Sequence, residues 1–195
     1  CNNDLCPGRN IEMILNFVQK IGIDDLSSKR LIEMLDKKII STIPDLYDLN
    51  VETLLTLDKV KDKLANKLYK NIEDSKNPTL VKFLSALGIS GGAVNKCEKI
   101  VSAGFDTIDK ILDLNIETLS SVESFAEKSS REFITSLQSK KGMVLLLIEK
   151  GILFSVENED KTSILDGKSF CITGTLSRKR SDIADDIKKN GGKVV

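Results

Sequence analysis

The feature that most constrains the fold of this chain is an internal repeat. The segment of residues 46–72 recurs 65 residues later, and the clearest match pairs residues 46–54 with residues 111–119. The similarity extends backward with a one-residue slip, so that residues 20–75 and residues 85–140 form two copies of one unit. A repeat of this length indicates that both copies share one supersecondary structure.

Within each copy the apolar residues recur at the spacing of an amphipathic helix. Val60, Leu64, Leu68 and Ile72 fall on one face of such a helix, and lysines fall on the other. Short polar segments separate the helices. We name them hairpins 1 to 4, and they comprise residues 24–28, 58–62, 90–93 and 123–127. The sequence therefore predicts a mainly α fold in which each copy holds two helix-hairpin-helix units, with a connection at residues 76–78.

Composition favours a helical protein of one or two domains. The 195 residues include 29 basic and 29 acidic side chains, no His and no Trp. A net charge of zero produces no overall field towards nucleic acid or a membrane, and no apolar run has the length of a membrane span. We expect no membrane partner, a monomer and a cytoplasmic location. Because the sequence starts with Cys1 and ends in a strand-like segment, we expect a piece of a longer protein.

The four cysteines predict two kinds of thiol. Cys97 and Cys171 have apolar neighbours, which is typical of buried thiols. Cys1 and Cys6 flank a polar loop, and this spacing suits a knuckle that offers two thiolates to zinc. Tetrahedral zinc needs four ligands, so residues 1–8 would form half of a site whose other half lies upstream. The alternative is two free thiols.

The hairpins suggest a function. The first turn of a helix carries unpaired backbone N–H groups and a partial positive charge, and both favour a phosphate. Several hairpins on one rigid body could contact both backbones of a duplex without reading its bases. The alternative is a helical bundle in which the short turns serve packing alone.

The order of these parts resembles the C-terminal part of bacterial NAD-dependent DNA ligases. Residues 1–7 resemble the second half of the family's four-cysteine zinc finger, and residues 57–63 lie where its second hairpin falls. Residues 83–89 resemble the stretch before its third hairpin. Residues 165–176, continued by residues 191–194, resemble the opening of its BRCT domain. The resemblance covers the whole chain in the same order.

This resemblance implies a tandem helix-hairpin-helix domain over residues 9–150, a linker over residues 151–164 and the truncated start of an α/β BRCT domain over residues 165–195. It implies that the chain holds nicked double-stranded DNA for a parent enzyme that seals nicks in replication and repair. NAD and Mg²⁺ would act in that enzyme without binding here. The adenylation and OB domains of the same chain would be partners, and no catalytic residue is predicted in this part.

The hairpins depart from the family's Gly-x-Gly core. Asp25, Lys59 and Ser124 replace the first glycine, and hairpin 3 alone keeps glycines, in a shifted pattern. Lysines could then pair with phosphate directly, or they could form a solvated face. Because Asp25 would repel phosphate, we expect hairpin 1 to be structural. The predicted DNA-binding residues are Lys59, Lys61, Lys63, Gly91, Gly92, Ser124 and Lys128.

The BRCT-like tail leaves further alternatives open. Thr173 and Gly174 occupy the place at which phosphopeptide-binding BRCT domains hold a phosphate, although Thr173 could equally be a turn residue. Because a segment of about thirty residues cannot bury an adequate core, we expect this tail to be poorly stable alone. Two rival functions remain: a stand-alone helix-hairpin-helix DNA-binding module, and a protein scaffold that uses the tail.

Overall fold

The computed structural model describes residues 7–155, 165, 168–173 and 180–194. The chain divides into two compact units, Cys1–Ser155 and Val156–Val195. The described part of the first unit is helical, which confirms the predicted fold class. Its elements are α1 (Pro7–Ile21), α2 (Ser28–Asp36), a 3-10 helix (Pro44–Asp48), α3 (Val51–Leu55), α4 (Asp62–Asp74), α5 (Leu80–Ala86), α6 (Val94–Ser102), α7 (Ile108–Leu112), α8 (Ile116–Ser120) and α9 (Glu127–Glu149).

The helices pack in four pairs, each joined by a hairpin. The pairs are α1 with α2, α3 with α4, α5 with α6, and α8 with α9. The two copies meet where α1 packs against α5. There the Asn16 side chain donates to the Ala86 carbonyl at 3.2 Å, and Lys20 donates to the Ser85 carbonyl at 3.0 Å. These contacts join the predicted repeat copies into one helical unit.

The core of this unit follows the predicted periodicity. On α4, Leu68 and Ile72 are fully buried, and Lys63, Lys67 and Lys70 are exposed, as predicted. One phenylalanine from each of three helices is also fully buried: Phe17 in α1, Phe83 in α5 and Phe133 in α9. Helix formation is thus supported mainly by burial of one apolar face, because short helices are marginal alone.

Helix α9 is longer than predicted. The sequence predicts a helix over residues 128–137, whereas the helix continues to Glu149. Gly142 lies inside it, which costs about 0.5–1 kcal/mol relative to alanine. The fully buried Val144 and Leu147 follow, and their packing offsets that cost.

The residues after α9 pack on the connection between the copies. Ile152 is buried. The Leu153 N–H donates to the Lys76 carbonyl at 2.8 Å, and the Ser155 N–H donates to the Pro78 carbonyl at 3.0 Å. The first part of the predicted linker therefore belongs to the helical unit, and residues 156–164 lie outside the described residues.

The second unit has a β-α-β order. Strand β1 (Ser169–Phe170) pairs in parallel with β2 (Lys193–Val194), and α10 (Arg180–Lys189) lies between them in the sequence. This order is consistent with the truncated α/β start of a BRCT domain that the resemblance implies. A side chain at Gly192 would lie 2.7 Å from Ile187 Cγ2, so only glycine fits where the chain turns past α10.

One of the two predictions of a buried thiol is wrong. Cys97 is buried, and burial raises the pKa of its thiol to about 11. Cys171 is exposed, because it follows the two-residue strand β1 and lies beyond its pairing with β2. In the described part of the chain, no helix combines the length and the apolar character that crossing a bilayer requires.

Candidate nucleic-acid interface

The four hairpins share one backbone geometry. Each has a tip residue with a positive φ: 66° at Asp25, 60° at Lys59, 72° at Gly91 and 70° at Ser124. The next helix begins three residues after the tip in every hairpin. Glycine adopts this conformation most readily. Three tips nevertheless keep it without glycine, so the replacements have not changed the path of the backbone.

A buried residue follows each tip and anchors the hairpin to the core. These residues are Leu26, Val60, Gly92 and Phe125. Next comes an exposed residue with extended backbone that forms the N-cap of the helix: Ser27, Lys61, Ala93 or Ala126. The hairpin is thus fixed from the core side, and the start of the helix is presented at the surface.

The helices after the hairpins differ from the others in how they begin. No N-cap side chain accepts a hydrogen bond at the start of α2, α4, α6 or α9. By contrast, Asn50, Thr79, Thr107 and Asn115 cap α3, α5, α7 and α8. The first two N–H groups of each hairpin helix have no acceptor within the helix either. The third N–H donates to the N-cap carbonyl at 2.9 Å in α4 (Leu64 to Lys61) and in α6 (Lys96 to Ala93). The hairpin helices therefore retain donors and partial positive charge for an external anion.

Three of the predicted site residues surround the start of α4. Lys59 is the tip of hairpin 2, Lys61 is the N-cap of α4, and Lys63 lies in its first turn. All three are exposed, and within the described residues none pairs with a carboxylate. Hairpin 2 therefore places three available ammonium groups around uncapped N–H groups.

Hairpin 1 is occupied by internal partners. Lys67 of α4 lies 2.7 Å from the Asp25 carboxylate. The Asn71 side chain donates to the Asp24 carbonyl at 2.9 Å, and Arg30 donates to the Asp25 carbonyl at 2.6 Å. The hydrogen bond from Lys67 is the main reason that the pKa of Asp25 is lowered. The structural role expected for this hairpin stays a prediction, but its carboxylate is held ionised.

The two glycines of hairpin 3 serve different purposes. Gly91 is the exposed tip. Gly92 is buried, and its N–H donates to the Ile89 carbonyl at 2.9 Å. A side chain at Gly92 would lie 3.0 Å from that same carbonyl oxygen. Gly92 therefore shapes the hairpin, and its amide is already used internally.

Hairpin 4 is linked to α6. Lys99 of α6 forms an ion pair with Glu123 and donates to the Ser124 hydroxyl at 2.6 Å. The predicted site residue Ser124 is thus exposed but already has a partner. Lys128, in the first turn of α9, is exposed and has no carboxylate partner among the described residues.

Equivalent positions of the two copies make equivalent bonds between hairpins. Asn71 of α4 bonds hairpin 1, and Ser136 at the matching place in α9 accepts from the Ser90 N–H of hairpin 3 at 3.1 Å. Glu33 of α2 accepts from the Asp58 N–H of hairpin 2 at 2.8 Å, and Lys99 at the matching place in α6 bonds hairpin 4. Each copy is therefore a pair of mutually braced hairpins.

Sequence reasoning missed two basic residues that the structure places at hairpins. Arg30 and Lys96 each follow a tip by five residues. Arg30 bonds the backbone of hairpin 1, whereas the Lys96 ammonium lies 4.7 Å from the centre of the Phe125 ring in hairpin 4. The signal in the sequence was a basic residue at the same position of both copies.

Comparison with known proteins supplies relatives, although no family model matches the chain. It is 34% identical to the DNA ligase of Bdellovibrio bacteriovorus, over 100% of this chain and 29% of the relative. It is 34% identical to the DNA ligase of Methylacidiphilum infernorum over the same shares, and 31% identical to the DNA ligase of Helicobacter pylori strain G27 over 100% of this chain and 30% of the relative.

The chain is homologous to one segment of bacterial DNA ligases. It spans about 30% of the length of these curated relatives. The resemblance to bacterial DNA ligases is thereby confirmed, and the coverage is consistent with the C-terminal part of a bacterial DNA ligase.

The remaining predicted sites of this ligase-like segment lie outside the four hairpins. Cys1 and Cys6 lie outside the described residues, as does Gly174. Thr173 is exposed just after β1. Among the described residues, no cluster of three or more His, Cys, Asp or Glu side chains could hold a metal ion. The zinc half-site and the phosphate pocket therefore stay predictions.

Proposed function

We propose that this chain is the DNA-binding part of an NAD-dependent DNA ligase, and that its hairpins hold nicked duplex DNA by the phosphate backbone without sequence specificity. The observation that carries the proposal is the shared hairpin geometry. Four left-handed tips each precede a helix that begins without a side-chain cap. The homology to DNA ligases supports DNA as the partner.

On this proposal, two kinds of donor contact phosphate. First-turn N–H groups of the hairpin helices donate to phosphate oxygens. Lys59, Lys61 and Lys63 add ammonium groups at hairpin 2, and Lys128 adds one at hairpin 4. Such contacts position a duplex without reading its bases, so affinity should be similar for unrelated sequences.

The parent enzyme would carry out the chemistry elsewhere. NAD and Mg²⁺ would act in an adenylation domain, and this part would be inactive alone. Cys1 and Cys6 would supply two thiolates of a zinc finger completed by residues upstream. A monomer in the cytoplasm, with the adenylation and OB domains as partners in the same chain, completes the proposal.

Removal of the hairpin 2 lysines tests the proposal. The triple variant Lys59→Ala, Lys61→Ala, Lys63→Ala should bind nicked duplex much more weakly than the wild type. Each phosphate contact releases condensed counterions from the DNA, and this release favours binding, so the loss of a contact lowers the affinity. The measurement is fluorescence anisotropy with a labelled nicked duplex at fixed salt.

A matched control removes three exposed lysines that lie outside the hairpins and pair with no carboxylate among the described residues: Lys70, Lys82 and Lys168. It carries the same change in charge and should bind far more tightly than the hairpin variant. An equal loss of affinity in both triple variants would show that net charge alone causes the effect, and it would contradict a binding site at hairpin 2. Absence of wild-type binding even at low salt would favour the scaffold alternative.

A further inference from the structure

Lys96 lies between the tips of hairpins 3 and 4. Its ammonium is 4.7 Å from the centre of the Phe125 ring, which belongs to hairpin 4. The same nitrogen lies 3.9 Å from the place that a side chain at Gly91 would take, at the tip of hairpin 3. Gly91 therefore has no side chain to cover the ammonium on this side, although Lys96 as a whole is half-buried. Among the described residues, no carboxylate pairs with Lys96.

Two other lysines at hairpins, Lys67 and Lys99, already have carboxylate partners. Lys67 is paired with Asp25 at hairpin 1, and Lys99 is paired with Glu123 at hairpin 4. Both ammonium groups are neutralised by a carboxylate of this chain. The Phe125 ring instead attracts the Lys96 cation through its face and leaves its charge in place. An ammonium has three donors, so Lys96 keeps the capacity to bond an anion.

The charges of the second copy make this cation important. Hairpin 3, residues 90–93, has no charged side chain, and hairpin 4, residues 123–127, contains two glutamates and no basic residue. Hairpin 2, by comparison, carries lysines of its own at its tip and N-cap. Glu123 pairs with Lys99 and Glu127 pairs with Arg131. Lys96 and Lys128 are therefore the basic residues at these two hairpins that no carboxylate of the described residues neutralises.

We infer that Lys96 is a backbone-phosphate contact that hairpins 3 and 4 share, with the Phe125 ring holding its ammonium beside the open tip at Gly91. The ligand class is the phosphodiester of duplex DNA. The inference rests on the proposed function and assigns to Lys96 the role that Lys59 and Lys61 have at hairpin 2.

The first test is the salt dependence of binding to nicked duplex by the 195-residue chain. Lys96→Ala should lower the slope of log affinity against log salt by about 1 and weaken binding roughly five- to tenfold at 0.1 M salt. Lys96→Arg should retain most of the wild-type salt slope and affinity, because a guanidinium group also stacks on aromatic rings. Lys70→Ala, which removes an exposed lysine outside the hairpins, should keep the wild-type slope.

The second test closes the tip with a carboxylate. Asp25 has a φ of 66°, so aspartate fits the backbone that Gly91 adopts at 72°. Gly91→Asp should pair with Lys96 as Asp25 pairs with Lys67, and should weaken binding at least as much as Lys96→Ala. Gly91→Asn has nearly the same shape without the charge and should weaken binding less. Equal losses in the two variants would overturn the assignment.

The outcomes separate this inference from the proposed function. If the wild type binds DNA and Lys96→Ala keeps its salt slope, the assignment of Lys96 fails and the proposed function stands. If the wild type does not bind DNA at all, both fail. Thermal unfolding of each variant checks that it remains folded, so that a loss of binding reports on the contact.

Discussion

At the residue scale, the three tips without glycine keep their left-handed backbone in different ways. Asp25 is held by Lys67, and the Ser124 hydroxyl is held by Lys99. The Lys59 side chain has no such partner among the described residues. The left-handed conformation costs a non-glycine residue about 1–2 kcal/mol. At Lys59 this cost is offset by no side-chain bond, which makes it the most informative tip to change.

Replacing Lys59 by glycine should leave the free energy of unfolding unchanged or raise it by up to about 1 kcal/mol. Glycine removes the steric cost at φ 60°, although it adds about 0.5–1 kcal/mol of unfolded-state entropy. Lys59→Val should lower it instead by about 1–2 kcal/mol, because a β-branched residue fits this conformation poorly. Urea unfolding followed by circular dichroism measures both changes.

The adjacent residue provides the control. Lys61 has a φ of −113°, an extended conformation that any residue adopts. Lys61→Gly should therefore lower the free energy of unfolding by about 0.5–1 kcal/mol, through chain entropy alone. A loss at Lys59→Gly as large as at Lys61→Gly would contradict a strained tip.

The Asp25–Lys67 pair predicts a pH dependence. The hydrogen bond from Lys67 lowers the pKa of Asp25 from 3.8, so the folded state favours the ionised carboxylate. The stabilisation is therefore complete well above pH 3.8 and is lost as pH falls below that value, through the lowered pKa. The difference in free energy of unfolding between the wild type and Asp25→Asn should be constant from about pH 7 to 5 and should shrink below pH 3.8. A difference that grew towards acid pH would give the wrong sign.

At the scale of elements, the helices with a side-chain cap differ from the helices without one in a way that suits stability in the first group and phosphate binding in the second. Helices α3, α5, α7 and α8 begin with a side-chain cap, which stabilises a short helix. The four hairpin helices forgo that stabilisation. If their first turns bind phosphate, a cap there should improve stability and weaken binding.

Ala93→Thr tests this trade-off at α6. Ala93 has φ −65° and ψ 151°, close to the φ −69° and ψ 154° of Thr79, which caps α5. The new hydroxyl should accept from the first turn of α6 and raise the free energy of unfolding by about 0.5–1 kcal/mol. It should also weaken binding to nicked duplex, because the hydroxyl takes up donor capacity and partial positive charge at the start of α6 that a phosphate would use.

Thr79→Ala is the reciprocal control. It removes an existing cap from a helix that follows no hairpin. The free energy of unfolding should fall by about 1 kcal/mol, with unchanged DNA affinity. Denaturant melts and anisotropy on the same preparations give both readouts. Stronger DNA binding by Ala93→Thr would argue against phosphate at the start of α6.

At the scale of the whole molecule, local sequence patterns predicted the architecture, whereas the side-chain contacts between helices depend on how the helices pack. The repeat, the apolar period and the turn residues are local, so the four hairpins were predicted correctly. The partners of Lys67, Lys96 and Lys99 were not, because each lies on another helix or hairpin that only the packed fold brings near. Sequence alone likewise did not predict that three tips keep a left-handed backbone without glycine.

The repeat also carries information that a single copy would not. Bonds at matching positions brace hairpin 1 against α4 and hairpin 3 against α9. The two copies meet through α1 and α5. The helical unit can therefore present its hairpins from one connected core, which is the property that contact with a rigid duplex requires.

The central claim is that this helical unit binds the DNA backbone through its hairpins without reading sequence. The most direct measurement is the affinity of the 195-residue chain for two nicked duplexes of unrelated sequence over a series of salt concentrations. We predict equal affinities and a linear fall of log affinity with log salt, with a slope of about −0.9 for each phosphate contacted. Affinity that differs strongly between the sequences, or that does not change with salt, would contradict the account.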